Sequence, residues 1–179
     1  GGNVGASAAV SVNVNNPGIA SYDASLKAPR CTEPGAYCDT GTLVKGRGAL
    51  GPEQNAPNTI NNSCADGNSG TYQGDESLER IRISTVDGSP LAAGKQVRVD
   101  VTVWAWSTGS SDSLDLYYAA DANSPSWTYL TTLVPSGGGA QVLVVGVPGV
   151  TTTLDPLALD VLDLGVGGVF LNDSNVVDL

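Results

Sequence analysis

Residues 62–77 read NSCADGNSGTYQGDES and gather one cysteine, three carboxylates and three glycines in sixteen positions. Asp66 and Asn68 stand at alternate positions, followed by Gly70, whose carbonyl is a further oxygen donor. Calcium takes six to eight hard oxygen ligands, and Asp75 and Glu76 lie close enough in the chain to add to such a cage. Asp66, Asn68, Asp75 and Glu76 are therefore the expected cation ligands, with calcium as the cofactor. This is not an EF-hand, because the twelfth loop position falls on Ser77 rather than on a glutamate. A series of Asx-turns with solvated acids is the competing reading.

Gly67-Asn68-Ser69-Gly70 also has the small, flexible frame that exposes a nucleophilic hydroxyl. A serine needs a base to take its proton, and the chain has no histidine at all. That absence removes Ser-His-Asp and Cys-His triads, histidine-ligated zinc and imidazole acid–base catalysis. A lysine base or a carboxylate pair remains, but nothing in the sequence brings Lys45 to Ser69. Asp112, Asp115 and Asp121 flank the segment SLDLYYAA near turns, where acids are ordinarily solvated rather than paired across a cleft. No catalytic residue is assigned, and the chain is expected not to be an enzyme.

Three cysteines make an odd set. Between Cys31 and Cys38, Pro34-Gly35 supplies a turn that can bring the two sulfurs together, so a Cys31–Cys38 disulfide is expected. Three thiolates on a metal are the alternative, although the spacing is not a usual zinc one and a fourth ligand is needed. A disulfide implies an oxidising compartment outside the cytoplasm. Cys64 is left without a partner.

Trp104 and Trp106 fall on one face of the segment KQVRVDVTVWAW, opposite Val97, Val99, Val101, Val103 and Ala105. Two indoles on one strand, with Tyr117 or Tyr118 on a neighbouring strand, form a surface that can stack on sugar rings or on a peptide. Burial of at least one indole beneath a loop layer is the alternative. Trp127 is expected to anchor the start of a strand.

The elements that position these residues are strands. Val10, Val12 and Val14 alternate within the first sixteen residues, which read as a strand or linker. Residues 17–78 are dominated by Pro, Gly, Asn, Asp and Ser, a loop-rich span that needs a staple inside a compact domain. From Glu79 the period becomes regular. ERIRIST, KQVRVDVTVWAW, SLDLYYAA and WTYLTTLV read as strands separated by turn signals, of which Asp87-Gly88 is the strongest. The last forty residues hold three or four more candidates. The fold class expected is all-β: an antiparallel β-sandwich or jelly roll forming one domain over residues 17–179, with a long loop-rich first half.

The formal net charge is −10, and all eight basic residues lie between Lys27 and Arg98. Residues 99–179 carry nine aspartates and no Lys, Arg or Glu. Phosphate backbones are held by clustered cations, so nucleic acid is not an expected partner. No run of about eighteen apolar residues exists, so no membrane span is expected. No basic region followed by an apolar one opens the chain, which fits a mature secreted protein or a domain cut from a larger one.

Between Tyr22 and Gln141 the motifs SLKAPRC, GRG…GPEQNAPNTIN, SCADG…DES and GKQVRVDVTVWAWSTGSSDSLDLYYAADANSPSWTYLTTLVP occur in succession. This run resembles an accessory β-sandwich domain in the C-terminal region of large secreted bacterial peptidases, metallopeptidases among them. The resemblance implies a non-catalytic module appended to, or processed from, a hydrolase; the expected partner is a polysaccharide or a protein surface outside the cell. It also implies a fourth cysteine, an aromatic-basic strand and an Asp-rich ending. Residues 137–179 depart from that pattern: they contain no cysteine, and LNDSNVVDL only faintly echoes such an ending. Two other functions are compatible with the same residues. One is a subunit of a surface filament or adhesin that self-associates through its sheet edges; the other is a free carbohydrate-binding lectin.

Overall fold

The computed structural model describes residues 17–45 apart from Lys27 and Pro34, residue 73, residues 76–118, residue 124 and residues 126–147. These residues form an all-β structure in which every strand pairs antiparallel. The strands are β1 (Ser21–Asp23), β2 (Ala28–Arg30), β3 (Tyr37–Asp39), β4 (Ser77–Thr85), β5 (Val97–Ala105), β6 (Leu114–Tyr118), β7 (Thr128–Leu133) and β8 (Gly139–Val147). They make a four-stranded sheet in the order β3-β4-β5-β8 and two hairpins, β1-β2 and β6-β7. The proposed strand at Val10–Val14, Cys64, and all residues after 147 lie outside the described residues.

β5 organises the sheet. Its valines at every second position are β-branched and fit a pleated, buried surface, and all five inward positions from Val97 to Ala105 are buried. β8 pairs with β5 over nine consecutive residues without a bulge, which sets Leu143 against Val101 and Val145 against Val99. β4 pairs on the other side, and its register slips between Leu78 and Arg80. The slip has a physical cause in the sequence. Leu78 is even-numbered while Ile81 and Ile83 are odd, so one extra residue, Glu79, must bulge out for all three to face the core.

The core lies between this sheet and the β6-β7 hairpin. Leu114 and Leu116 of β6 join Ile83, Val99, Val101, Val103, Cys31 and Cys38 in one hydrophobic cluster, and Leu116 is 0% exposed. Cys31 and Cys38 form the expected disulfide, with Cα atoms 6.1 Å apart. Both sulfurs are buried, so the bridge fastens the β2-β3 connection to the core rather than closing a surface loop. Three-residue strands β1, β2 and β3 thus run through the segment read as loop. Asp23 fixes the first of them: its Oδ1 accepts from the N–H groups of Ser25 (2.8 Å) and Leu26 (3.1 Å), and its Oδ2 meets Arg30 Nη1 at 2.8 Å. Trp127, directly before β7, packs with Leu26 against Ala28 and so anchors that hairpin.

The two borders of the large sheet differ. The N–H of Ala20 donates to the carbonyl of Asp39 at 2.8 Å, so the segment before β1 covers the outer side of β3. β8 is the last strand on the opposite side among the described residues. Its outward residues Val142 and Val144 are 54% and 45% exposed.

Candidate functional site: the aromatic end of the four-stranded sheet

Two clusters of polar and aromatic side chains stand on the outward face of the sheet. The first spans β3, β4 and β5. Asp39 lies directly across from Arg82, and Arg82 directly across from Asp100. Asp39 Oδ1 accepts from Arg80 Nε (2.7 Å) and from the N–H of Gly41 (2.8 Å), and Arg80 Nη2 bonds Oδ2 to complete a bidentate pair. Burial alone would raise the Asp39 pKa. The Arg80 hydrogen bonds, the Gly41 N–H and the charges of Arg80 and Arg82 outweigh it and hold the carboxyl below its ordinary value. Arg82 sits over the Tyr37 ring at 4.5 Å, a cation–π contact, and Arg98 Nε bonds Asp100 Oδ1 at 2.7 Å. Asp39 and Asp100 are each paired with a guanidinium here, while Arg82, whose buried Nε has no hydrogen-bond partner among the described residues, stacks on Tyr37 between them.

The second cluster occupies the end of the sheet where β5 leaves and β8 begins. The strand stops at Ala105, so Trp106 belongs to the turn that follows, whereas Trp104 stays in the ladder opposite Ala140. Trp104 is half-buried; its Cη2 comes within 3.9 Å of where a Cβ on Gly139 would stand. Trp106 is 51% exposed. Its backbone is held on both sides: Trp106 N–H donates to Asp112 Oδ2 at 2.7 Å, and its carbonyl accepts from Gly109 N–H at 2.7 Å. Ser107 adopts φ +52°, an uncommon conformation for a residue with a side chain. Beneath it runs the 135–139 loop, so close that a Cβ on Gly138 would overlap the Ser107 carbonyl oxygen, and one on Gly109 the Gly137 carbonyl oxygen. Gln141 ties the same loop down. Its Oε1 accepts from Ser136 N–H at 3.0 Å and its Nε2 donates to the Gly137 carbonyl.

The tyrosines expected beside the indoles lie elsewhere. The neighbours of β5 are β4 and β8, because the 106–113 turn carries the chain to the β6-β7 hairpin on the core side of the sheet. Tyr118 packs against the core, where burial pushes its phenol pKa up. Tyr117 makes an edge-to-face contact with Tyr129, with ring centroids 5.6 Å apart. Asp115 accepts from Thr132 Oγ1 on the facing strand. Asp112 and Asp115 are thus both engaged in holding backbone or hairpin, and Asp121 lies outside the described residues.

Of the four expected cation ligands, Asp66, Asn68 and Asp75 lie outside the described residues, as does Ser69. Glu76 is described, half-buried just before β4. Beyond it the bulged Glu79 is buried and its Oε1 accepts from Gln73 Nε2 at 2.7 Å. Among the described residues no three His, Cys, Asp or Glu side chains converge on a point. The role of Asp112 was hidden in the sequence, since an aspartate six residues after a tryptophan carries no known signal. The glycine run 137–139 was the available hint, because consecutive glycines mark close backbone approach.

Comparison with protein-family models, with curated proteins and with solved structures finds no match to this chain.

Proposed function

We propose that the chain is a non-catalytic binding module of the extracellular space, a two-layer β-sandwich accessory to a secreted hydrolase. One observation carries the reading: a half-exposed indole, Trp106, is presented on backbone fixed from both sides. A large, rigid, amphipathic side chain loses little conformational entropy on binding, which is the property of a recognition anchor. The described acids support the same reading, since Asp23, Asp39, Asp87 and Asp100 pair with Arg30, Arg80, Lys95 and Arg98. The buried disulfide supports an oxidising location. A calcium ion on Asp66, Asn68, Asp75 and Glu76 belongs to this reading as a stabiliser; a fall in melting temperature on adding a chelator is its test.

The module itself is tested by depletion. The full chain is mixed with washed, insoluble cell-envelope material, and the protein left in solution is measured. Wild type is expected to be withdrawn and Trp106→Ala to stay in solution. Equal withdrawal of both overturns the reading.

A second reading, a building block that self-associates through β8, is favoured by the exposed Val142 and Val144 on a nine-residue strand without charge.

A further inference from the structure

Trp106 projects from an unusual surround. Ser107, Thr108, Ser110 and Ser111 are all exposed beside it, and Thr108 Oγ1 and Ser110 Oγ hydrogen bond to each other at 2.9 Å. From Trp106 to Ser113, and again from Pro135 to Gln141, the only ionisable side chain is Asp112. Its Oδ2 already accepts from Trp106 N–H. The site is therefore one apolar plate in a rim of uncharged hydroxyls and glycine backbone.

That combination selects among ligands. An anionic chain would find no cation in residues 106–113 or 135–141, and would approach a protein whose net charge is −10. A peptide docking by apolar anchors needs a groove of several hydrophobic side chains, and the turn that follows Trp106 offers only serine, threonine and glycine before Asp112. A pyranose ring matches both parts. It offers a flat C–H face to an indole and hydroxyl groups around its edge to hydroxyl and carbonyl partners. Resting on the binding-module reading above, we propose that Trp106 is the stacking platform for a neutral sugar ring of an extracellular polysaccharide, with Asp112 as its positioning residue.

Pre-organisation follows from the same geometry. The Ser107 backbone is set at positive φ over Gly138, and the Gly109 turn is closed onto Gly137, so the plate does not need to be ordered when the sugar arrives. Trp104, half-buried along β5, supports the end of the sheet.

The test uses the full chain and soluble probes: cellohexaose, chitohexaose and mannohexaose as neutral oligomers, and polygalacturonate as the anionic one. Tryptophan emission is followed through titration. At least one neutral oligomer is expected to change the emission saturably, with an affinity that stays within twofold between 50 mM and 500 mM salt. Trp106→Ala is expected to weaken binding more than tenfold, and Trp106→Tyr to retain most of it. Asp112→Asn keeps an oxygen near the Trp106 N–H and is expected to bind within threefold of wild type, while Asp112→Ala loses about tenfold with its melting temperature little changed. No saturable response to any neutral oligomer, or equal binding by Trp106→Ala, overturns the proposal. If the oligomers fail but Trp106→Ala still abolishes withdrawal by envelope material, the sugar assignment falls and the binding module stands. If withdrawal also survives the substitution, both fall.

Discussion

Removing either partner of the Asp39–Arg80 pair should have unequal consequences, because the two ends of the pair sit in different solvents. The Asp39 side chain is 3% exposed, whereas that of Arg80 is 47% exposed. Arg80→Ala strands a buried carboxylate that keeps, among the described residues, the Gly41 N–H as a direct donor and the charge of Arg82 nearby. Breaking a buried pair in this way costs about 3 kcal/mol, the lower end of the usual range because those two favourable contacts survive. Asp39→Ala leaves a guanidinium that water can reach. Its cost is the lost net value of the hydrogen bonds, about 1.5 kcal/mol. The expected gap between the two variants is therefore about 1.5 kcal/mol at neutral pH, with Arg80→Ala the less stable.

The pH dependence sharpens this. In the wild type the folded-state pKa of Asp39 is lowered. A depressed carboxylate pKa contributes stability that is fully present above the unfolded value, about 3.9, and is lost as pH falls through the folded value. In Arg80→Ala the dominant remaining influence is burial, which raises the pKa, so protonation relieves the stranded charge. The wild type should lose stability as the medium becomes strongly acidic, while the deficit of Arg80→Ala should shrink. Urea unfolding of the wild type, both single variants and the double variant at neutral and acidic pH measures all of it. Equal destabilisation by the two single variants, or a deficit in Arg80→Ala that grows on acidification, refutes the assignment of a buried, paired Asp39.

Three further outcomes are expected. Replacing Cys31 and Cys38 together by Ser should cost about 2.5 kcal/mol by the loop-entropy relation for a separation of seven residues, read by urea unfolding under oxidising conditions; a change below about 1 kcal/mol would mean that the bridge is absent from the folded chain. Gly138→Ala places a methyl group against the Ser107 carbonyl, backbone on backbone, and should cost about 2 kcal/mol and shift the emission of Trp106, while Gly146→Ala, which has open space around it, should not. Val144→Lys on β8 should leave stability within about 0.5 kcal/mol, since the residue is half-exposed, and should lower any concentration-dependent association seen by sedimentation; unchanged association speaks against the building-block reading.

Legibility in the sequence followed from range. β5 was readable because five inward positions repeat with period two, and its end was misplaced by only one residue, Trp106. β6 and β7 were readable for the same reason. β1, β2 and β3 were not, since three residues are too few to display a period and their pairing partners lie in turn-rich sequence. The bulge at Glu79 could have been suspected from the change of parity between Leu78 and Ile81. The Asp39–Arg80 pair joins residues 41 positions apart, and only tertiary structure brings them together. At the candidate site the indoles were legible as a pair on one face, but their separation into a ladder residue and a turn residue was not. That depended on Asp112 competing for the Trp106 N–H, which takes the backbone out of the strand.

The uneven placement of the basic residues acquires a reason from the sheet. Arg80, Arg82 and Arg98 all sit on its outward face, and Asp39 and Asp100 stand among them in direct or adjacent register. Removing the arginines would leave like charges on a face where cross-strand neighbours are about 5 Å apart. Arg80 and Arg98 are each paired with an acid of that face, and Arg82 is held over Tyr37 between them. The region beyond Arg98 carries only aspartates, and there Asp112 is committed to backbone and Asp115 to its hairpin partner. A neutral sugar bound at Trp106, as proposed, would bind without charge pairing. Salt should then leave its affinity nearly unchanged, because screening acts only on charge interactions. A steep loss of binding with ionic strength would instead place the ligand on the arginine face and move the functional site from the end of the sheet to its middle.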